Sequence, residues 1–192
     1  MKSFWSAMIL GAALLLGGGC IFWQNTVRET EEFDPISGER GAEAPAGLFY
    51  GTFRNVSGSD RRFMVRFNGG RIAHAEYTRW LNQPEFLMER AFCHWMPLAS
   101  APGDPAEGKQ LDCTLDRFDF ERGNAVLVAD FGLQSKRRNR VIRTEHRVPV
   151  NGESSAAMAA AMTTALKQCV EEVRRAISAD AADATPGKKT AK

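Results

Sequence analysis

The stretch LDCTLDRFDFERGNAVLVADFGLQSKRRNRVIRTEHRVPV, residues 111–150, decides the fold. Leu111, Cys113 and Leu115 alternate with polar residues, the period-two pattern of a strand with one buried face. Phe118 and Phe120 continue that alternation in the opposite phase, which places a β-bulge near Asp116-Arg117. Arg122-Gly123-Asn124 turns the chain. Ala125 to Gln134 is apolar on both faces at its start, as a central strand is. Lys136 to Arg140 is a basic turn. Val141 to Val150 is the next strand, with Ile142, His146, Val148 and Val150 facing in and Arg143, Glu145 and Arg147 facing out. Ser154 or Ser155 then caps a long helix. In it Met158, Met162, Ala165, Leu166, Cys169, Val173 and Ile177 recur at the spacing of one buried stripe.

Upstream, the same order occurs once more. Leu48 to Val56 reads as a strand with Phe49 and Phe53 on one face. Phe63, Val65 and Phe67 alternate with Met64 and Arg66, Asn68-Gly69-Gly70 supplies the positive-φ residues of a hairpin turn, and Arg71 to Trp80 returns. Pro84 sits at a helix start, where its missing N–H costs nothing. Leu87, Met88, Ala91, Phe92 and Trp95 make that helix amphipathic as far as Trp95. Pro97 to Gly108 holds three prolines and is a loop. The expectation is an α+β, two-layer domain over residues 48–178: a mixed or antiparallel six-stranded sheet in the order β-β-β-α-β-β-β-α, each three-strand run a meander, both helices on one face. The other face would then carry Val126 and Val128 uncovered, a surface for self-association or a partner.

Residues 21–47 are polar and punctuated by Asp34-Pro35, Ser37-Gly38 and Ala44-Pro45, which reads as a flexible tether. Residues 179–192 read as a disordered tail. Before the tether, Lys2 precedes an uncharged stretch from Ser3 to Trp23. Two readings of it stand. Residues 1–20 form a secretory signal ending in a lipobox-like Leu16-Gly17-Gly18-Gly19-Cys20, in which Cys20 becomes the lipid attachment site, although Leu16 lies one place too early. Alternatively, Phe4 to Trp23 is an uncleaved anchor helix, long enough to span a bilayer, with Trp5 and Trp23 at the interfaces. Both place the folded part outside the cytoplasm.

Composition narrows the function. The 25 Lys and Arg against 23 Asp and Glu give a formal net charge of +2, without the basic excess of a nucleic-acid binder. Neither a Gly-x-Ser-x-Gly elbow nor a phosphate-binding loop is present, and the cysteines show no C-x-x-C spacing. His74, His94 and His146 share no helical i, i+4 spacing, so a structural role is expected and no metal or cofactor. Cys93 and Cys113 flank the proline-rich loop and are a disulfide candidate in an oxidising compartment; buried free thiols are the alternative. Lys136, Arg137, Arg138 and Arg140 are candidates for contact with an acidic partner or lipid headgroups, against a solvated turn. Tyr77 and Trp80 are candidate interface aromatics, Trp80 equally a core residue.

The pattern resembles the ABC-type transport auxiliary lipoproteins, the PqiC-like family. Phe53-Arg54-Asn55, Asp60-Arg61-Arg62-Phe63-Met64-Val65-Arg66, the hairpin Phe67 to Ile72, Glu76-Tyr77-Thr78-Arg79-Trp80 and Leu115-Asp116-Arg117-Phe118 carry the likeness. The resemblance implies a non-enzymatic lipoprotein of the bacterial cell envelope, membrane-anchored through its lipid and facing the periplasm. Its partners would be an MCE-domain protein with an ABC permease and ATPase, in lipid transport, and copies can form a homo-oligomeric ring. A free-standing lipid-binding or structural envelope lipoprotein, similar to LptE, is the alternative.

Overall fold

The computed structural model describes residues 29–99, 108–136 and 138–183. Among them are seven strands: β1 (Glu31–Phe33), β2 (Leu48–Asn55), β3 (Arg62–Arg66), β4 (Ile72–Trp80), β5 (Lys109–Glu121), β6 (Asn124–Gln134) and β7 (Asn139–Pro149). Two helices, α1 (Pro84–Trp95) and α2 (Ser155–Asp183), complete the order. The architecture is α+β with a mixed sheet, as the periodicities require.

β5, β6 and β7 form the expected antiparallel meander. The pairing of β5 with β6 slips between Leu115 and Arg117, so Asp116 is the extra residue that reverses the phase of the strand. The first run is not a meander. β2 pairs in parallel with Lys109–Leu115 of β5, and β3 pairs in parallel with Phe120 and Glu121 of the same strand. β2 and β3 therefore lie end to end along one edge of β5. The loop between them keeps the chain heading in one direction: the Asn55 amide donates to Ser59 O at 2.8 Å, and Ser57 N donates to Asn55 Oδ1 at 3.0 Å. Only β3 and β4 make an antiparallel hairpin in this half.

A second bulge separates Tyr50 from Phe53. Phe53 and Tyr50 face the core, whereas Phe49 lies opposite Gln110 on the other face, so Phe49 and Phe53 do not share a face as expected. Gly51 leaves room there for the Asp112 and Gln110 side chains, since a Cβ would fall 2.2 Å from Asp112 Oδ1.

Both helices cover one face. α2 lies over β6 and β7, and α1 lies over β2 and against α2. The predicted stripes are buried, Leu87, Met88, Ala91, Phe92 and Trp95 in α1, with Met162, Ala165, Leu166, Cys169, Val173 and Ile177 in α2, while Met158 of the predicted stripe is only partly buried. Ser154 is the cap, accepting from Ala157 N at 3.1 Å. α2 runs to Asp183, five residues into the segment read as a tail, and the rest of that tail lies outside the described residues.

The tether reading also needs correction. Glu31–Phe33 adds to the sheet as β1, parallel to Thr78–Trp80 of β4. Phe33 packs on Phe63 with ring centroids 5.6 Å apart, and Asp34 pairs with Arg90 at 2.7 Å. Gly41 N donates to His94 O, Ala44 N donates to Pro97 O, and Ala44 is buried. The polar composition hid a strap, held by backbone hydrogen bonds that any sequence can make.

The face without helices is not an uncovered apolar surface. Val126 and Val128 are 0% and 4% exposed. In register beside them stand Asp119 and Arg147, and Arg117 and Glu145. Asp119 is fully buried and receives Arg66 and Arg117, each at 2.6 Å. Arg117 and Arg147 both reach Glu121, at 3.1 and 3.3 Å. Long side chains cover apolar surface with their stems while their heads pair above it. Glu145 and Arg147, read from the sequence as facing out, join Arg117 and Asp119 in the roof over the two valines.

Candidate functional site

The ladder of β6 and β7 ends at Gln134 and Asn139, so Ser135–Arg138 must close the hairpin. Ser135 locks it. Its hydroxyl donates to Arg138 O at 2.7 Å and accepts from Arg138 N at 3.1 Å, and its amide donates to the same carbonyl at 3.2 Å. This tight closure leaves Lys136 and Arg138 exposed. Arg140, opposite Leu133, is half-buried, and Arg137 lies outside the described residues.

Beside the turn is an open cleft of about 430 Å³, lined by Phe49, Gly108, Gln110, Gln134, Ser135, Lys136 and Asn139. The Gly51 bulge turns Phe49 to this side, and Gly108 lies so near its ring that a Cβ would fall 2.1 Å from it. Asp112 organises the wall: Gln110 and Gln134 donate to it at 3.0 and 2.8 Å, and Thr52 N at 2.7 Å. The cleft offers an aromatic surface, amides and an ammonium. That set binds an acidic or amide-bearing chain through hydrogen bonds and charge. Arg143 adds nothing to the positive field, because it is held by Asp130 at 2.9 Å and Asp116 at 3.1 Å; Arg147 is likewise bound to Glu145 at 2.9 Å.

The two predicted aromatics part company. Tyr77 is exposed on β4, its hydroxyl donating to Glu76 Oε1 at 3.0 Å. Trp80 is 1% exposed, stacked on Phe63 at 4.1 Å and edge-on to Phe118. It is a core residue. Neither is near the basic turn, which sits at the opposite end of the sheet from the β3–β4 hairpin.

The Cys93–Cys113 disulfide is absent. Both thiols are free: Cys93 is on the exposed side of α1, and Cys113 is buried under the helices on β5. Burial pushes the Cys113 thiol up, and burial pushes Cys169 up to about 12. The Cys169 thiol lies 3.4 Å from the Thr144 hydroxyl. The histidines sit apart. His74 lies 3.7 Å from Asp60, His94 lies 3.1 Å from Gly38 O, and His146 lies 3.1 Å from Glu172. Among the described residues no group of three or more His, Cys, Asp or Glu is placed to hold a metal, and no helix is long and apolar enough to cross a membrane. Cys20 lies outside the described residues.

Sequence reasoning found the basic turn but missed its cleft. The signal was the run Leu48-Phe49-Tyr50-Gly51, where a glycine inside a strand marks a bulge and moves an aromatic to the other face.

Comparison with known proteins agrees with the topology. No curated protein matches. Solved structures do, among them two that align over nearly their whole length. One is an uncharacterized protein, 12% identical, with a TM-score of 0.55, covering 78% of this chain and 99% of its own. The other is a protein of Xanthomonas campestris from the DUF330 family, 18% identical, with a TM-score of 0.55, covering 80% of this chain and 98% of its own. At such identities they speak for the fold. The family model for the ABC-type transport auxiliary lipoprotein component matches residues 59–174, from the loop before β3 into the last turns of α2. That match spans more than half of the sequence and includes the β3–β4 hairpin, α1 and the bulged meander, and the chain belongs to the ABC-type transport auxiliary lipoprotein family.

Proposed function

We propose that this chain is a non-enzymatic accessory subunit of an MCE/ABC-type lipid transport system, held in the bacterial envelope by a lipid on Cys20 and facing the periplasm. One observation carries the reading of the site. Lys136 and Arg138 stand exposed beside an aromatic-floored cleft, whereas Arg143 and Arg147 on the adjoining strand are neutralised by carboxylates. An unspent charge at the tip of a hairpin suits docking to an acidic protein surface, where it steers encounter. Family membership supports a transport complex as the setting. A ring of copies around that complex belongs to the same reading.

Photo-cross-linking from position 136 in intact cells tests it. The cross-linked partner should be the MCE-domain subunit. Lys136→Glu with Arg138→Glu should lower co-purification of the permease and ATPase by about tenfold, the equivalent of ~1.4 kcal/mol. Unchanged co-purification sinks the docking role. For attachment, Cys20→Ser should leave an uncleaved precursor of higher mass, whereas an anchor helix predicts almost no change.

A further inference from the structure

We propose that the tip of the β3–β4 hairpin is a membrane-seating surface, with Phe67 and Ile72 dipping into the phospholipid interface and Arg71 and Arg122 meeting its phosphates. The proposal rests on the lipid attachment at Cys20 stated above, and adds which part of the domain faces the bilayer.

Phe67 and Ile72 are 42% and 43% exposed at the tip of the hairpin. Phe67 N donates to Arg71 O at 2.8 Å, and Gly69 and Gly70, both with φ of +81°, complete the tight turn. Arg71 lies over the Phe67 ring at 4.7 Å. Across the adjoining β5–β6 turn, Arg122 donates to Asn68 Oδ1 at 3.1 Å, which fastens the two tips together. Among the described residues neither Arg71 nor Arg122 pairs with a carboxylate, unlike Arg66 and Arg117 just behind them, which pair with Asp119. Aromatic and aliphatic side chains flanked by unpaired arginines match the boundary between acyl chains and phosphates.

The chain's own course supplies the occupant. β1 runs parallel to β4, with Glu31 opposite Thr78, so the backbone arrives from the side of the β3–β4 hairpin. Glu29 and Glu31 lie against Ala75, Glu76 and Tyr77 on that edge. Nine chain steps lead from Cys20 to Glu29. Fully extended they reach roughly 30 Å, so the hairpin edge is confined close to whatever holds Cys20. The basic turn Ser135–Arg138 lies at the other end of β5, whose 13 residues span roughly 40 Å, and so points away from the bilayer toward partners. Of the acids near the tip, Glu121 is held by Arg117 and Arg147, and Glu153 stands exposed beyond Val150, whose amide donates to Gly123 O. Glu76 accepts from Tyr77, Glu32 is held by Arg61 and Arg79, and Glu29 and Glu31 flank the incoming chain behind the tip.

The test uses the full-length lipidated protein in vesicles of phosphatidylethanolamine and phosphatidylglycerol. An environment-sensitive dye is placed on Phe67→Cys, Ile72→Cys or Val141→Cys in a Cys93→Ser background, since Cys113 and Cys169 are buried. Val141 is 69% exposed on β7 near the basic turn and serves as the distant reference. Emission should shift to the blue, and be quenched by lipids labelled at shallow depth, at 67 and 72 but not at 141. Adding Arg71→Glu and Arg122→Glu should abolish the quenching while the protein still floats with the vesicles. Flotation with 67 and 72 in water overturns the tip proposal alone. A blue shift that needs no vesicles identifies a second copy as the occupant and overturns it too. Failure to float overturns the attachment reading and this proposal with it.

Discussion

Trp80 shows how one side chain changes meaning between sequence and structure. In the run Tyr77-Thr78-Arg79-Trp80 two aromatics sit three positions apart, and strand alternation puts them on opposite sides. Tyr77 meets solvent, while Trp80 stacks on Phe63, with Phe120 and Phe118 completing the ring cluster. Trp80→Ala should cost about 3–5 kcal/mol, read from urea midpoints, because the cavity cannot collapse among rigid rings. Tyr77→Ala should shift the midpoint by less than about 0.5 kcal/mol, as exposed substitutions do. The thiols give a pH prediction with a definite sign. The Cys169 thiol ordinarily titrates near 9 and is pushed up to about 12 by burial. Between those values the unfolded chain has lost the proton and the native state keeps it. This contribution is constant below pH 9 and diminishes as pH rises, by about 1.4 kcal/mol per pH unit for each such thiol. Chemical denaturation at about pH 8 and about pH 10 should show the loss, and Cys169→Ala should remove its share of the slope. Cys93, exposed on α1, should react with thiol reagents in the native protein, and Cys113 and Cys169 should not.

Elements differ in how much of themselves they declare. The bulge at Asp116 was legible because the core-facing phase switches from Leu115 to Phe118 inside one strand. The bulge at Gly51-Thr52 was not, because Phe49, Tyr50 and Phe53 allow either phase until Asp112 is known to occupy the space over Gly51. β1 has three residues, Glu31-Glu32-Phe33, too few for a period, and is held by a backbone ladder and one ring. Its strap depends on Gly41, whose backbone runs against the end of α1. A Cβ there would fall 1.8 Å from Trp95 O. Gly41→Ala should therefore cost about 1–3 kcal/mol through overpacking, and do so by releasing the strap. The expected signature is faster hydrogen exchange at Phe33, Gly41 and Ala44, with the meander of β5, β6 and β7 still protected. Uniform loss of protection would count against this local effect.

At the scale of the molecule, β5 joins everything. It pairs with β6 along its whole length and offers its other edge to β2 and β3 in turn. Two meanders side by side, the arrangement suggested by the repeated β-β-β-α order, would make the first half a folding unit. The observed pairing does not, because β2 has no strand partner before residue 109 arrives. A fragment ending at residue 99 should therefore stay unfolded, with collapsed amide dispersion and rapid proteolysis. A folded fragment would contradict the shared-edge topology. The same pairing gives the domain its polarity, with the hairpin tip at one end of β5 and the basic turn at the other.

The sequence by itself determined the class of the fold, the number and order of the long elements, both buried helix stripes, the Asp116 bulge, the Ser154 cap and the basic turn, since each is written in local period or local turn chemistry. Tertiary structure alone decided that β2 and β3 lie parallel along one edge of β5 and that β1 joins β4. Parallel and antiparallel edges use the same backbone donors and acceptors, in ladders of different geometry, and side-chain alternation along one strand does not tell which edge it will join. It alone placed Cys93 and Cys113 on opposite sides of a helix. It alone closed Val126 and Val128 beneath a roof of ion pairs, because whether a charged side chain is solvated or lies over an apolar neighbour depends on the strand beside it.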